Sequence, residues 1–87
     1  MAVVYIPPLL ADLTGGRSSV DVEGATVRRI IDNLERDWPG IREKLLEDGR
    51  LRANIRVAVD GQISRLGLLE KVSPSSEVHF VAAVSSG

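Results

Sequence analysis

Val27, Ile30, Ile31, Leu34 and Trp38 fall at i, i+3, i+4, i+7 and i+11, which puts five apolar side chains on one face of a helix. The opposite face carries Arg28, Arg29, Asp32, Glu35, Arg36 and Asp37. Thr26 is the expected N-cap, its hydroxyl accepting a backbone N–H of the first turn. Pro39-Gly40 is the expected stop. Arg28–Asp32 and Asp32–Arg36 stand at i,i+4 spacing and are expected as ion pairs worth about 0.3 kcal/mol each. Most of the remaining apolar pattern has period two. A chain with one main helical stripe and several alternating segments must bury that stripe against a sheet.

The alternating segments come in a definite order. Ala2-Val3-Val4-Tyr5-Ile6 reads as a strand, stopped by Pro7-Pro8, which cannot donate to a ladder. Leu9 and Leu10 follow, and Thr14-Gly15-Gly16 marks a turn. Ser19 to Glu23 alternates polar and apolar, so the first two strands are expected to form a hairpin with a longer than minimal connection. After the helix, Ile41 and Leu45 suggest a short helical turn closed by Asp48-Gly49. Asn54 to Val59 alternates again, with Ile55, Val57 and Val59 on one face. Asp60-Gly61 is a strong hairpin signal leading to a short strand over residues 62–65. Gly67 to Val72 reads as an irregular or short helical crossover, and Pro74-Ser75-Ser76 as a turn. Glu77 to Val84 is the last strand, with Val78, Phe80, Ala82 and Val84 on one face.

The resulting order is β-β-α-β-(β)-β. The third and last strands are the most apolar and belong at the centre, with the last expected parallel to the first. This is an α+β chain of β-grasp (ubiquitin-like) architecture, a mixed sheet of four to five strands covered by one main helix. The domain is expected over residues 1–84, and residues 85–87 form a short tail.

Composition bounds the chemistry. With 87 residues the chain makes one small core. Lys+Arg is 11 and Asp+Glu is 12, a net charge of −1, which gives no electrostatic case for nucleic acid or an anionic membrane. Nine of the eleven basic residues are arginine, but carboxylates are interleaved with them. Cysteine is absent, which excludes disulfides, a thiolate nucleophile and Cys-ligated zinc or iron–sulfur clusters. A single histidine makes a His-based metal site unexpected, so no bound metal or cofactor is expected. The apolar runs are too short for a membrane span, and the opening lacks a signal peptide, so the expected location is the cytoplasm.

No phosphate loop, HExxH pair or nucleophile elbow is present, since Gly15-Gly16-Arg17-Ser18 is too short and lacks the lysine. Asp32, Glu35, Glu43 and Glu47 read as a solvated helical surface rather than an acid/base pair. His79, out of phase with Val78 and Phe80, reads as a surface strand residue without an orienting group. Trp38 reads as core by its phase. Ser85-Ser86-Gly87 reads first as a frayed end. A glycine terminus, however, has no side chain to block a narrow active site, and its carboxylate can be adenylated by a partner enzyme.

The run Val4-Tyr5-Ile6-Pro7-Pro8-Leu9-Leu10 followed by Thr14-Gly15-Gly16 resembles the opening of the ThiS/MoaD-type sulfur carriers, most of all the branch serving cysteine biosynthesis. The resemblance continues through Gly24-Ala25-Thr26-Val27, Leu34-Glu35, Pro39-Gly40-Ile41, Leu51-Arg52, residues 57–61 and residues 77–84. It implies a carrier rather than an enzyme. Gly87 matches the residue whose carboxylate becomes an acyl-adenylate and then a thiocarboxylate, and Ser85 and Ser86 would enter the partner with it. The implied partners are an E1-like adenylating or sulfurtransferase enzyme that uses ATP, a sulfur-accepting biosynthetic enzyme of the cysteine, thiamine or molybdopterin type, and a metalloprotease. The free chain is expected to be a monomer. An apolar sheet patch near the tail would bind the partner, and Val81, Ile63 and Leu66 are the candidates. Ser86 departs from the family's penultimate glycine. Its Cβ and hydroxyl would narrow the fit in a channel shaped for glycine. The alternative implied by that departure is a ubiquitin-like interaction module, or a protein modifier, without sulfur-carrier activity.

Overall fold

The computed structural model describes residues 1–82 of the chain. Ala83 and Val84, expected in the last strand, lie outside the described residues, as do Ser85, Ser86 and Gly87.

The expected hairpin forms from β1 (Ala2–Tyr5) and β2 (Ser19–Val22), which pair antiparallel with Val4 opposite Val20. Their connection is more than a turn. Pro8–Thr14 makes a 3₁₀ helix that ends on Gly15, whose positive φ of 67° closes it. The Thr14 hydroxyl donates back to the carbonyls of Leu10 (3.4 Å) and Ala11 (3.3 Å). This segment buries Leu10 completely and leaves Leu9 exposed.

The main helix, α1 (Val27–Asp37), begins as expected: Thr26 is extended and its Oγ1 accepts the Arg29 amide at 3.3 Å. Val27, Ile30, Ile31 and Leu34 are fully buried. Trp38 is half-buried against the same core, with the Arg17 guanidinium 5.3 Å from its ring centroid. A Cβ on Gly24 would lie 2.9 Å from the Ile30 backbone N, so glycine is what lets α1 sit directly on the exit of β2.

The polar face of α1 differs from expectation. Arg28–Asp32 and Asp32–Arg36 are not among the ion pairs of the described residues. Asp32 instead meets Arg42 at 2.8 Å. The reason is α2 (Ile41–Leu45), which turns back at Gly40 and brings Arg42 over α1. Glu35 is also more than a solvated surface group: its carboxylate accepts the amides of Gly40 and Arg42, capping α2. Glu47 is not helical. It belongs to β3 (Leu46–Glu47), which pairs with β4 (Arg50–Leu51) around Asp48-Gly49 in a small separate hairpin.

β5 (Ile55–Val59) turns through Asp60 (φ 52°) and Gly61 (φ 84°) into β6 (Gln62–Ile63), the tight turn that the sequence signals. A 3₁₀ turn at Gly67–Leu69 carries the buried Leu68, and β7 (Glu77–Ala82) closes the sheet. The strand order is β2-β1-β7-β5-β6. β7 runs parallel to β1 and antiparallel to β5, so the expected central placement and closure hold. This is the β-grasp: a five-stranded mixed sheet whose inner face, with Val4, Val57, Val78 and Phe80, buries the stripe of α1. Ala82 shares the phase of Phe80 but is exposed, because it lines an open groove. No helix among the described residues is long and apolar enough to cross a membrane.

Candidate functional site

The face of the sheet away from α1 is set by strand parity. Successive side chains alternate, so if Val4, Val57, Val78 and Phe80 point inward, then Tyr5, Arg56, Ala58, His79 and Val81 point outward. The register assembles them in rows. Tyr5 lies beside His79, His79 beside Ala58, and Ala58 beside Ile63. Val81 lies beside Arg56 in the next row.

The Tyr5 and His79 rings stack, with centroids 4.3 Å apart and planes within 6°. Two residues that sequence reading leaves as a strand aromatic and a bare surface histidine are therefore one flat element. The sequence does hold a signal for it, since both are out of phase with buried neighbours. What it lacks is the parallel register that brings them together.

Val81 is 38% exposed, Ile63 56% and Leu66 59%, so all three candidates of the apolar patch are accessible. They do not form one cluster. Val81 lines a groove with Tyr5 and His79, whereas Ile63 and Leu66 line a shallower depression beside β6. Leu66 lies in the loop after β6 and has no place in the sheet register.

The groove at Val81 has a volume of about 560 Å³ and sits where β7 approaches the start of the tail. Ile6, Pro7, Pro8 and Leu9 form one wall and Phe80 to Ala82 the other. Its origin is backbone chemistry. Val3 donates to the Ser76 carbonyl at 3.0 Å, so odd residues of β1 address even residues of β7. After Tyr5, which lies opposite His79, the next donor in that ladder would be residue 7, a proline with no N–H. β1 therefore leaves β7, and β7 runs on with that flank open.

Gly87, Ser85 and Ser86, the candidates for the chemical step and its tail, lie outside the described residues. Among the described residues, several carboxylates are occupied structurally. Asp60 accepts the Ser76 hydroxyl and the Glu77 amide at 3.0 Å each, and Glu70 accepts the Ser64 hydroxyl at 2.7 Å. The Arg42 and Gly40 amides, with the Arg42 charge, hold the Glu35 carboxyl below the usual glutamate range. No group of three or more His, Asp or Glu side chains among the described residues is placed to hold a metal ion. The arrangement suits docking: an apolar face with a stacked aromatic pair, beside the root of the tail.

The pattern of the ThiS family matches residues 4–87. The sulfur carrier protein CysO of Mycobacterium bovis is 32% identical over 89 aligned positions, covering 97% of this chain and 96% of the relative. CysO in the Amycolatopsis orientalis BexX/CysO complex superposes with a TM-score of 0.91 at 35% identity, each chain covered completely. Mycobacterium tuberculosis CysO superposes with a TM-score of 0.91 at 30% identity, covering 97% of this chain and 100% of that one.

Proposed function

The chain belongs to the ThiS family, and on that premise we propose that it is a sulfur carrier of the CysO type, a co-substrate rather than a catalyst. The supporting observation is likeness over nearly the whole of both chains, with the family pattern running through residue 87. In this reading the sulfur is borne on the α-carboxylate of Gly87. A carboxylate oxygen attacks the α-phosphorus of ATP on an E1-like partner, and pyrophosphate leaves. Hydrosulfide then attacks the acyl carbon, the C–S bond forms, and AMP departs with the oxygen. The thiocarboxylate so formed delivers sulfur to a biosynthetic enzyme of the cysteine type, in the cytoplasm. Ser85 and Ser86 follow Gly87 into the partner's channel, and a metalloprotease acts on the product after delivery.

The outward face supplies the docking surface in this reading. Val81, next to the Tyr5–His79 stack, contacts the adenylating partner. Ile63 and Leu66 extend the contact on the β6 side. A related CysO crystallised with BexX supports the expectation that the fold works against a protein partner.

The test is intact mass after incubation with the adenylating enzyme, ATP and sulfide. A gain equal to one sulfur replacing one oxygen is expected. An unchanged mass, with a Gly-Gly carrier reacting in parallel, would reject the carrier reading. Ser86 favours a second reading, an interaction module or protein modifier that keeps the docking face. In that case partner binding survives deletion of residues 85–87, or an isopeptide adduct to lysine replaces the thiocarboxylate. The Ser86→Gly variant separates the readings: gain of sulfur loading only in that variant assigns the block to the Ser86 side chain.

A further inference from the structure

A second concave feature lies on the β5–β6 side of the sheet and shares Ile55 with the groove at the tail root. It has a volume of about 460 Å³, with Ile55 and Val57 beneath it and Arg52, Arg56 and Arg65 around it. β6 is only two residues long and pairs with Ala58 and Val59, so no strand covers the β5 flank at Ile55 and Arg56. No carboxylate and no aromatic side chain lines this slot.

Two of the guanidinium groups are held in place by backbone. Arg52 donates from Nε and Nη2 to the Glu43 carbonyl, at 3.1 and 2.7 Å, while its Nη1 stands 3.7 Å from the exposed Glu47 carboxylate. Arg56 donates from Nη1 to the carbonyls of Ala53 and Ile55, at 3.0 and 3.2 Å. A guanidinium has five N–H donors in a fixed fork. The bonds to carbonyls leave donors over, and they leave the positive charge of Arg56 without a counter-charge among the described residues. Arg65 makes no side-chain hydrogen bond or ion pair among the described residues. Arg56 and Arg65 therefore line one slot without a partner carboxylate among the described residues, beside an Arg52 that already faces Glu47, in a chain whose net charge is −1.

We propose that this slot docks an extended, acidic segment of a partner protein, with carboxylates on the arginine forks and an apolar side chain against Ile63. Planar guanidinium groups already oriented by backbone match carboxylates in bidentate geometry and lose little entropy on binding. Complementary charge of this kind adds specificity and on-rate. A polypeptide is favoured over nucleic acid because the slot offers no ring on which a base could stack. The slot adjoins the docking face, since Arg56 is the register neighbour of Val81. It does not depend on the carrier chemistry, and its test contains neither ATP nor sulfide.

The test uses the ¹⁵N-labelled full chain, titrated with a short peptide of alternating Asp/Glu and Leu residues. Saturable amide shifts are expected at residues 51–57 and 63–67, weakening with added salt. The same peptide with Asn and Gln in place of its acids should give none. Arg56→Gln combined with Arg65→Gln should weaken binding about tenfold, while Arg17→Gln, beside Trp38, leaves it unchanged. Should the double variant lose its dispersed spectrum, Arg65→Gln alone carries the comparison. Absence of saturable shifts, shifts centred on Tyr5 and His79, indifference to the double variant, or equal binding of a single-stranded oligonucleotide would each overturn the proposal.

Discussion

The ring of Tyr5 stacks on that of His79, 4.3 Å between centroids, across the parallel junction of the first and last strands. The pair lines the same groove as Val81. Aromatic anchors of this kind dominate the energy of many interfaces. Tyr5→Ala and His79→Ala are each expected to weaken binding to the proposed adenylating partner about tenfold, equivalent to about 1.4 kcal/mol. Both residues face outward, so thermal unfolding should move by only a few degrees. Calorimetric titration beside a melting curve checks both halves, and unchanged affinity in both variants would remove this face from the interface.

Glu35 makes the join between the two helices sensitive to acid. The Arg42 amide, then the Gly40 amide, and more weakly the Arg42 charge favour its ionised form and lower its pKa. The sign follows directly. The unfolded carboxyl titrates near about pH 4.3, so above that range the folded state gains from the charged form. The gain is lost as pH falls through the lower folded pKa. Glu35→Gln should therefore be less stable than the parent at neutral pH, and the difference should shrink in acid. Denaturant titrations across that range measure it; a difference constant with pH would contradict the capping role.

Asp60 does two jobs at once. Its backbone takes the positive φ of the hairpin turn, and its carboxylate ties that turn to Ser76 and Glu77 at the start of β7. Asp60→Ala removes both side-chain bonds and puts alanine in the left-handed region. A loss of about 2–3 kcal/mol is expected from the unmade bonds and the backbone strain together. Asp60→Asn retains an acceptor and tolerates the turn, so its loss should be about half as large. Equal losses in chemical denaturation would contradict a contribution from the acceptor and turn tolerance that asparagine retains.

Leu9 and Leu10 are adjacent and chemically identical, yet one is exposed and the other wholly buried. Leu10→Ala should cost about 2–5 kcal/mol, the range for emptying a buried leucine site. Leu9→Ala should cost about 0.5 kcal/mol or less. Comparable losses would mean that the 3₁₀ segment does not pack as described.

These differences locate what could be read in advance. Local periodicity determined most of the fold. The spacing of Val27, Ile30, Ile31 and Leu34 determined the helix and its buried face. Thr26 determined its start, and Asp60-Gly61 determined a hairpin turn. The period-two runs determined which faces of the later strands are inward, and hence that His79 and Val81 face out. The physical reason is that backbone period and capping act within a few residues. The resemblance carried by residues 4–16 and 77–84 supplied the candidate tail chemistry, and no periodicity could have done so.

The tertiary structure decided whatever depends on residues far apart in the chain. Asp32 meets Arg42 rather than Arg28 or Arg36 because α2 folds back over α1. Glu35 becomes a cap for the same reason. Leu10 rather than Leu9 enters the core because a 3₁₀ turn, not an extended loop, follows Pro8. Tyr5 finds His79 only when the first and last strands, distant in sequence, settle into register. A sequence fixes the menu of local conformations, but the choice of neighbour is made by burial of the whole core, which no short segment contains.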